Sequence, residues 1–228
     1  MTEIIPAILA KNFEELYNKI SRVVDITKVV QIDICDGVFV PSRTWPMNKD
    51  DEHGISSILN EEEGLPYWDS LDFEFDLMVK NAILQFDFFA RLGAKRIIFH
   101  IEAEDKDKLK EFIEGLDMYV RDNLEIGIAI NTNTHIDEIK SIISCVDFVQ
   151  CMGIEHIGFQ GEPFDERVLN QISSLRELYP EITISVDGGV KEETAPLLVK
   201  AGANRLVVGS LLIQSIDIRE TMKELENL

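Results

Sequence analysis

Along this chain an apolar run of strand length is followed, again and again, by a longer amphipathic segment. The strand-like runs cover residues 4–9, 29–35, 71–79, 96–101, 125–130, 147–152, 182–187 and 205–208. Helical periodicity marks 12–24, 82–92, 106–121, 136–144, 166–178, 193–201 and 211–224. In 12–24, Asn12 offers an N-cap, Glu14 and Glu15 suit the first turn, and Phe13, Leu16, Ile20, Val23 and Val24 share one face. Gly93 and Gly202, each followed by alanine where a helical segment ends, fit C-caps. Parallel strands need a crossover between them, so these units predict an α/β chain closed into a single (β/α)8 TIM barrel over residues 1–228. An open doubly wound sheet is the alternative. It is disfavoured because no early Gly-x-Gly-x-x-Gly turn and no second domain are visible.

One stretch breaks the rhythm. Residues 41–70 form a long connection rich in Pro, Trp, Asp and Glu, with a short helical piece near 55–59. Loops of this length in compact domains are usually functional or disordered. Trp45, Tyr67 and Trp68 suggest that this one packs down, as a lid.

Charge narrows the range of partners. A formal net charge of −20 argues against nucleic acid and against anionic membranes. A small anion held by backbone amides remains compatible with it. Cys35, Cys145 and Cys151 show neither metal-ligand spacing nor a disulfide framework, which suits a reduced cytoplasmic protein. The first ten residues lack the basic start and length of a signal peptide, and no apolar run approaches a membrane span.

Residues i and i+2 of a strand share a face. Gln31, Asp33 and Cys35 therefore point one way in the second strand, away from Ile32 and Ile34. Glu74 and Asp76 do the same in the third, away from Phe73, Phe75 and Leu77. His100 and Glu102 lie near the C-terminal end of the fourth strand, and Asp187 ends the seventh. Barrel enzymes place their sites at that end. Asp33, Asp76 and Asp187 would then converge, and three inward carboxylates repel unless a cation or a shared proton relieves them. Glu74 taken alone is expected to be an ordinary hydrogen-bonded residue, and His100 with Glu102 fits a core pair as well as a substrate contact. After Asp187 come Gly188 and Gly189, and Gly209-Ser210 repeats the strand–glycine–helix pattern one strand later. Such turns let backbone N–H groups approach an anion.

Several stretches, taken in order, resemble the ribulose-phosphate 3-epimerase family of phosphate-binding barrels. They are Pro6-Ala7-Ile8-Leu9, Gln31-Ile32-Asp33-Ile34-Cys35-Asp36-Gly37-Val38-Phe39-Val40-Pro41, Asp76-Leu77-Met78-Val79, His100-Ile101-Glu102-Ala103, Gly158-Phe159-Gln160-Gly161, Val186-Asp187-Gly188-Gly189-Val190 and Gly209-Ser210. The resemblance implies that Asp33 and Asp187 act as acid and base on opposite faces of a ketose phosphate. One would remove the C3 proton, giving an enediolate, and the other would return a proton from the far side. The phosphate would lie on Gly158, Gly161, Gly188, Gly189, Gly209 and Ser210. A divalent metal would stabilise the enediolate.

The chain departs from the family pattern where that metal binds. Gln31 and Asp76 stand in place of two histidine ligands, and Ala7 replaces a serine. Ile157, Gln160 and Glu162 alter the glycine loop after the sixth strand, which carries one added residue near His156. The remaining ligand set, Gln31, Asp33, Asp76 and Asp187, is all oxygen and suits Mg²⁺ or Mn²⁺ better than Zn²⁺. His156 is left outside it as a solvated loop residue. Two readings stay open: an epimerase with a different metal or none, and a barrel that binds a sugar phosphate without that activity. A purely structural protein is weaker, because the glycine loops would then have no task. A homo-oligomer is compatible with either.

Overall fold

The structure, a computed structural model, describes residues 2–48 and 55–228. Eight parallel strands close into a barrel in sequence order: β1 (Glu3–Ile8), β2 (Val29–Cys35), β3 (Asp72–Met78), β4 (Ala94–His100), β5 (Glu125–Ile130), β6 (Phe148–Met152), β7 (Thr183–Asp187) and β8 (Arg205–Val208). β1 pairs with β8, and Glu3 lies opposite Arg205. The register of β2 on β3 sets Gln31 beside Glu74 and Asp33 beside Asp76. Across the β6–β7 pair, Met152 stands beside Asp187. The polar slots of neighbouring strands are thereby brought to common levels inside the barrel.

The main core lies between the sheet and its outer layer. It includes Ile32, Ile34, Phe73, Phe75, Leu77, Phe99 and Ile126 from the strands, and Leu16, Ile20, Phe89 and Leu109 from helices α1 (Phe13–Ile20), α3 (Phe86–Arg91) and α4 (Lys106–Glu114). Asn12 caps α1 as its sequence position suggested, Oδ1 accepting from the Glu15 N–H at 2.8 Å. Between α1 and α3, the short α2 (Ile55–Leu59) falls where the connection 41–70 carries its helical piece. Inside the barrel a second cluster contains Cys35, Met78, Ile98, Phe148 and Met152. No helix among the described residues is long and apolar enough to cross a membrane.

Four helical expectations change; the segment expected over 82–92 opens with a 3₁₀ turn, Ala82–Gln85, before α3. The segment expected over 106–121 breaks at Gly115 into α4 and α5 (Met118–Asn123), because Asp117 starts a new helix by accepting from the Tyr119 N–H. The last segment likewise divides into α8 (Ser210–Gln214) and α9 (Ile218–Glu226), with Asp217 capping the second. Residues 136–144 form two 3₁₀ turns instead of a helix, Ile136–Ile139 and Ile143–Cys145. The isoleucines at 136, 139, 142 and 143 are buried, so burial produced the helical pattern without a continuous helix. The helices expected over 166–178 and 193–201 are α6 (Arg167–Leu178) and α7 (Ala195–Ala201), the latter capped at Gly202.

The floor of the barrel is ionic. The Arg96 guanidinium reaches Glu3 and Glu125 at 3.3 and 3.1 Å and Glu74 at 3.5 Å. Arg205 contacts Glu3 at 2.8 Å and lies over the Phe148 ring, 4.9 Å from its centroid. Glu74 is thus hydrogen-bonded, as expected, but deep in a strand. Burial pushes its carboxyl up to about 7, against the pull of Arg96 and Arg205.

The connection 41–70 packs down only in part among its described residues. Trp45 is buried against Phe13, and Tyr67 stacks on Tyr17, both on α1, whereas Trp68 is exposed. None of its described residues lines the cleft at the barrel mouth. Residues 49–54 lie outside the described residues.

Candidate active site

β2 and β7 deliver Asp33 and Asp187 to a cleft at the C-terminal end of the barrel. Met78 and Met152 supply apolar walls. Asp76 lies beside Asp33 on β3 and is fully buried. One carboxylate oxygen from each of Asp33, Asp76 and Asp187 falls within 4.8 Å of the others. The alternation of strand side chains therefore brings together the three acids singled out in the sequence.

The fourth member of the expected ligand set has a different position. Gln31 sits between two of the acids and donates from one nitrogen to both. Its Nε2 is 2.8 Å from Asp33 Oδ1 and 2.9 Å from Asp187 Oδ2. Its Oε1 is buried with no partner. In this sense the amide is a neutral bridge, and it becomes a ligand only by turning over to present Oε1. Bridging and cation binding are two ways of relieving one repulsion.

The electrostatics follow from burial. Burial, followed by the nearby Asp76 charge, pushes Asp33 up to about 7, while the Gln31 hydrogen bond pulls it down. Burial and then Asp33 and Asp76 hold Asp187 well above the usual carboxylate range. The two acids of the cleft therefore hold protons near neutral pH. Cys35, close by, is pushed by burial up to about 12 and is a poor nucleophile.

His100 does not pair with Glu102. Its Nε2–H donates to Asp76 Oδ1 at 2.8 Å, inside the barrel. Burial opposes charge on the imidazole, but Asp76 holds its pKa above the ordinary value. Glu102 instead accepts from the Asn131 N–H and the Thr134 hydroxyl, ordering the loop after β5. His156 is exposed and belongs to no ligand cluster among the described residues.

Above the acids, Gly158, Gly161, Gly188, Gly189, Gly209 and Ser210 all line the cleft. Gly188 and Gly189 have φ of 92° and 68°, in the left-handed region. A Cβ on Gly189 would lie 2.8 Å from Gly153 O and 2.9 Å from the Phe164 ring. Sequence reasoning missed Gly153, where a Cβ would meet Gly188 O at 2.1 Å, and its N–H donates to Asp187 O at 2.7 Å. Gln160, noted in the sequence only as a change in the glycine loop, lays its carboxamide over Gly209 and donates to Ala7 O at 3.3 Å.

Two further residues hold the acids' strand in place. Thr44 Oγ1 donates to Asp33 O and accepts from the Cys35 N–H, so the start of the long connection is tied to the end of β2. Asp36 accepts from the N–H groups of Val38, Phe39 and Lys80, joining the loops after β2 and β3. Asp36 stands in the quoted motif, but nothing in the sequence showed that its role is this turn.

The ribulose-phosphate 3 epimerase family model matches residues 3–213. This chain belongs to that family. It is 29% identical over 227 residues to a ribulose-phosphate 3-epimerase of Eremothecium gossypii, covering 98% of this chain and 91% of that one. A ribulose-phosphate 3-epimerase of Candida glabrata is 30% identical over 225 residues, covering 96% and 89%. Among solved structures, KGPDC from Streptococcus mutans superposes with a TM-score of 0.70 at 13% identity, covering 100% of this chain and 96% of that one. At that identity the likeness concerns the fold. Within the family frame, Asp33, Asp76 and Asp187 form an oxygen-ligand group that fits a divalent cation. Asp76 Oδ2 is buried without a partner, as is Gln31 Oε1, and the donors are hard.

Proposed function

We propose that the protein is an epimerase that inverts C3 of a ketose phosphate such as ribulose 5-phosphate, with Asp33 and Asp187 exchanging the proton. One observation carries this reading. Two buried acids, on strands β2 and β7 with β1 and β8 between them, meet at one cleft and share one amide donor. Inversion requires a base on one face of C3 and an acid on the other. Burial holds both acids above the usual carboxylate range, Asp33 at about 7, so each can take or give a proton near neutral pH. Asp33 takes the C3 proton, the electrons pass into the C2 carbonyl, and Asp187 protonates C3 from the opposite face. The reverse direction exchanges these roles. The Gln31 N–H groups stay with the carboxylates and steady whichever one is ionised.

The phosphate rests on the backbone N–H groups of Gly158, Gly161, Gly188, Gly189, Gly209 and Ser210. Among the described residues no Lys or Arg lines the cleft, so backbone dipoles carry this recognition. Asp33, Asp76 and Asp187 would hold a divalent cation, joined by Gln31 Oε1 if its amide turns over. Bound there, the ion would offset the developing enediolate charge. An oxygen set favours Mg²⁺ or Mn²⁺ over Zn²⁺. The acidic surface and three free cysteines support a cytoplasmic setting without nucleic-acid partners.

A second reading has its own support. In its present sense Gln31 neutralises the acid pair without an ion, which suits a barrel that binds sugar phosphates without epimerising them. Proton NMR of D-ribulose 5-phosphate in D₂O separates the two, run with chelator and then with Mg²⁺, Mn²⁺ or Zn²⁺. Deuterium at C3 together with xylulose 5-phosphate is expected. Exchange without the epimer would leave one working acid or base. No exchange under any condition would favour the second reading.

A further inference from the structure

We infer that His100 is a positioning residue for the cation site: it stands behind Asp76 and fixes which carboxylate oxygen faces the ion. This rests on the reading that the three acids hold a cation. His100 and Asp76 are both fully buried on adjacent strands. The register sets Asp76 beside Ile98, so His100 stands two residues nearer the barrel mouth and reaches back to Oδ1 at 2.8 Å. A carboxylate accepts only, so Nε2 must carry the proton. That nitrogen is thereby committed and cannot ligate an ion. The Phe39 ring packs against the imidazole with centroids 5.5 Å apart, restricting its rotation.

Asp76 is left with one open atom. Oδ1 is occupied by the imidazole, and Oδ2 is buried and unpartnered. One of its oxygens lies within 4.8 Å of ligand oxygens from Asp33 and Asp187. An unpaired buried carboxylate oxygen is costly unless something positive meets it. The imidazole thus serves as the outer partner that orients a ligating carboxylate, and such partners commonly govern metal affinity.

The test is a Mn²⁺ titration of the chelator-stripped full chain, followed by EPR without substrate. It uses the wild type, His100→Gln, whose amide nitrogen can replace Nε2, and His100→Leu, which has no donor. His100→Gln is expected to bind within about threefold of wild type, and His100→Leu about 10–100-fold more weakly. The metal-free melting temperature of His100→Leu is expected to fall as well, because Asp76 Oδ1 loses its buried donor, so the test is read from the ratio of Mn²⁺ affinities between the Gln and Leu variants. If that variant does not fold, His100→Asn, whose donor is too short to reach Asp76, takes its place. Equal affinity in wild type and His100→Leu would overturn the positioning role alone. So would direct nitrogen coupling to Mn²⁺ in the wild type, which would make His100 a ligand. A wild type that binds no Mn²⁺ would remove the cation reading itself, and this inference with it.

Discussion

Asp33→Asn should stabilise the metal-free protein, and increasingly so as pH rises. Asp33 is almost fully buried and its pKa is pushed from 3.8 to about 7. Folding therefore favours its protonated form. The wild type loses stability as pH rises from the unfolded value of 3.8 through about 7, and then levels off. At 1.36 kcal/mol per pH unit the loss approaches roughly 4 kcal/mol at pH 8. Asparagine keeps an oxygen to accept from Gln31 Nε2 and never ionises, so it avoids that loss. Urea unfolding in chelator at pH 4.5, 6, 7 and 8 measures the effect. We expect a difference of about 1 kcal/mol at the lowest pH, growing to at least about 2 kcal/mol at the highest, or a midpoint shift on the order of 1 M there. Saturating Mn²⁺ should cancel or reverse the gain, because the wild type then gains binding energy that the variant lacks. A difference that does not change with pH, or an Asn variant less stable at pH 8 in chelator, would refute the buried-acid argument.

Other consequences are open to measurement. Asp187→Asn should cut turnover by roughly 10²–10⁴, with sugar-phosphate affinity by calorimetry changed only a few-fold; equal loss of both would indicate a folding defect. Asp76→Ala should weaken Mn²⁺ binding at least about tenfold with little change in melting temperature, and an unaltered titration would remove it from the ligand group. Gly189→Ala should cost about 1–3 kcal/mol in urea and weaken phosphate-ester binding, since it adds a Cβ at positive φ against Gly153 O. In chelator, kcat/KM should rise with pH through about 7 as Asp33 ionises, and a flat profile from pH 6 to 8 would exclude Asp33 as the base.

Strand periodicity made the barrel legible because burial on both faces writes long apolar runs that helices interrupt. The same logic placed Asp33, Asp76 and Asp187 on one side of their strands. Side-chain order within the interior was not legible. Nothing in Gln31 announces that its nitrogen bridges two acids, and the spacing of His100 and Glu102 suggested a pair that does not form. Imidazole reaches across to β3, a contact fixed by the stagger between strands and not by any local pattern. Helix continuity failed at 106–121, 136–144 and 211–224 because apolar spacing reports burial, while Asp117 and Asp217 decide where a helix begins. Gly153 was invisible because its constraint comes from the backbone of a neighbouring loop.

The ion pairs of Arg96 and Arg205, with Phe148 filling the space a Gly127 Cβ would need, close the floor of the barrel among the described residues, while the cleft opens at the other end. On the proposed reading, a sugar phosphate seated in the cleft would stop that mouth, and solvent hydrogen would reach Asp187 only after it leaves. Isotope wash-in during turnover would then be a clock for how often substrate leaves.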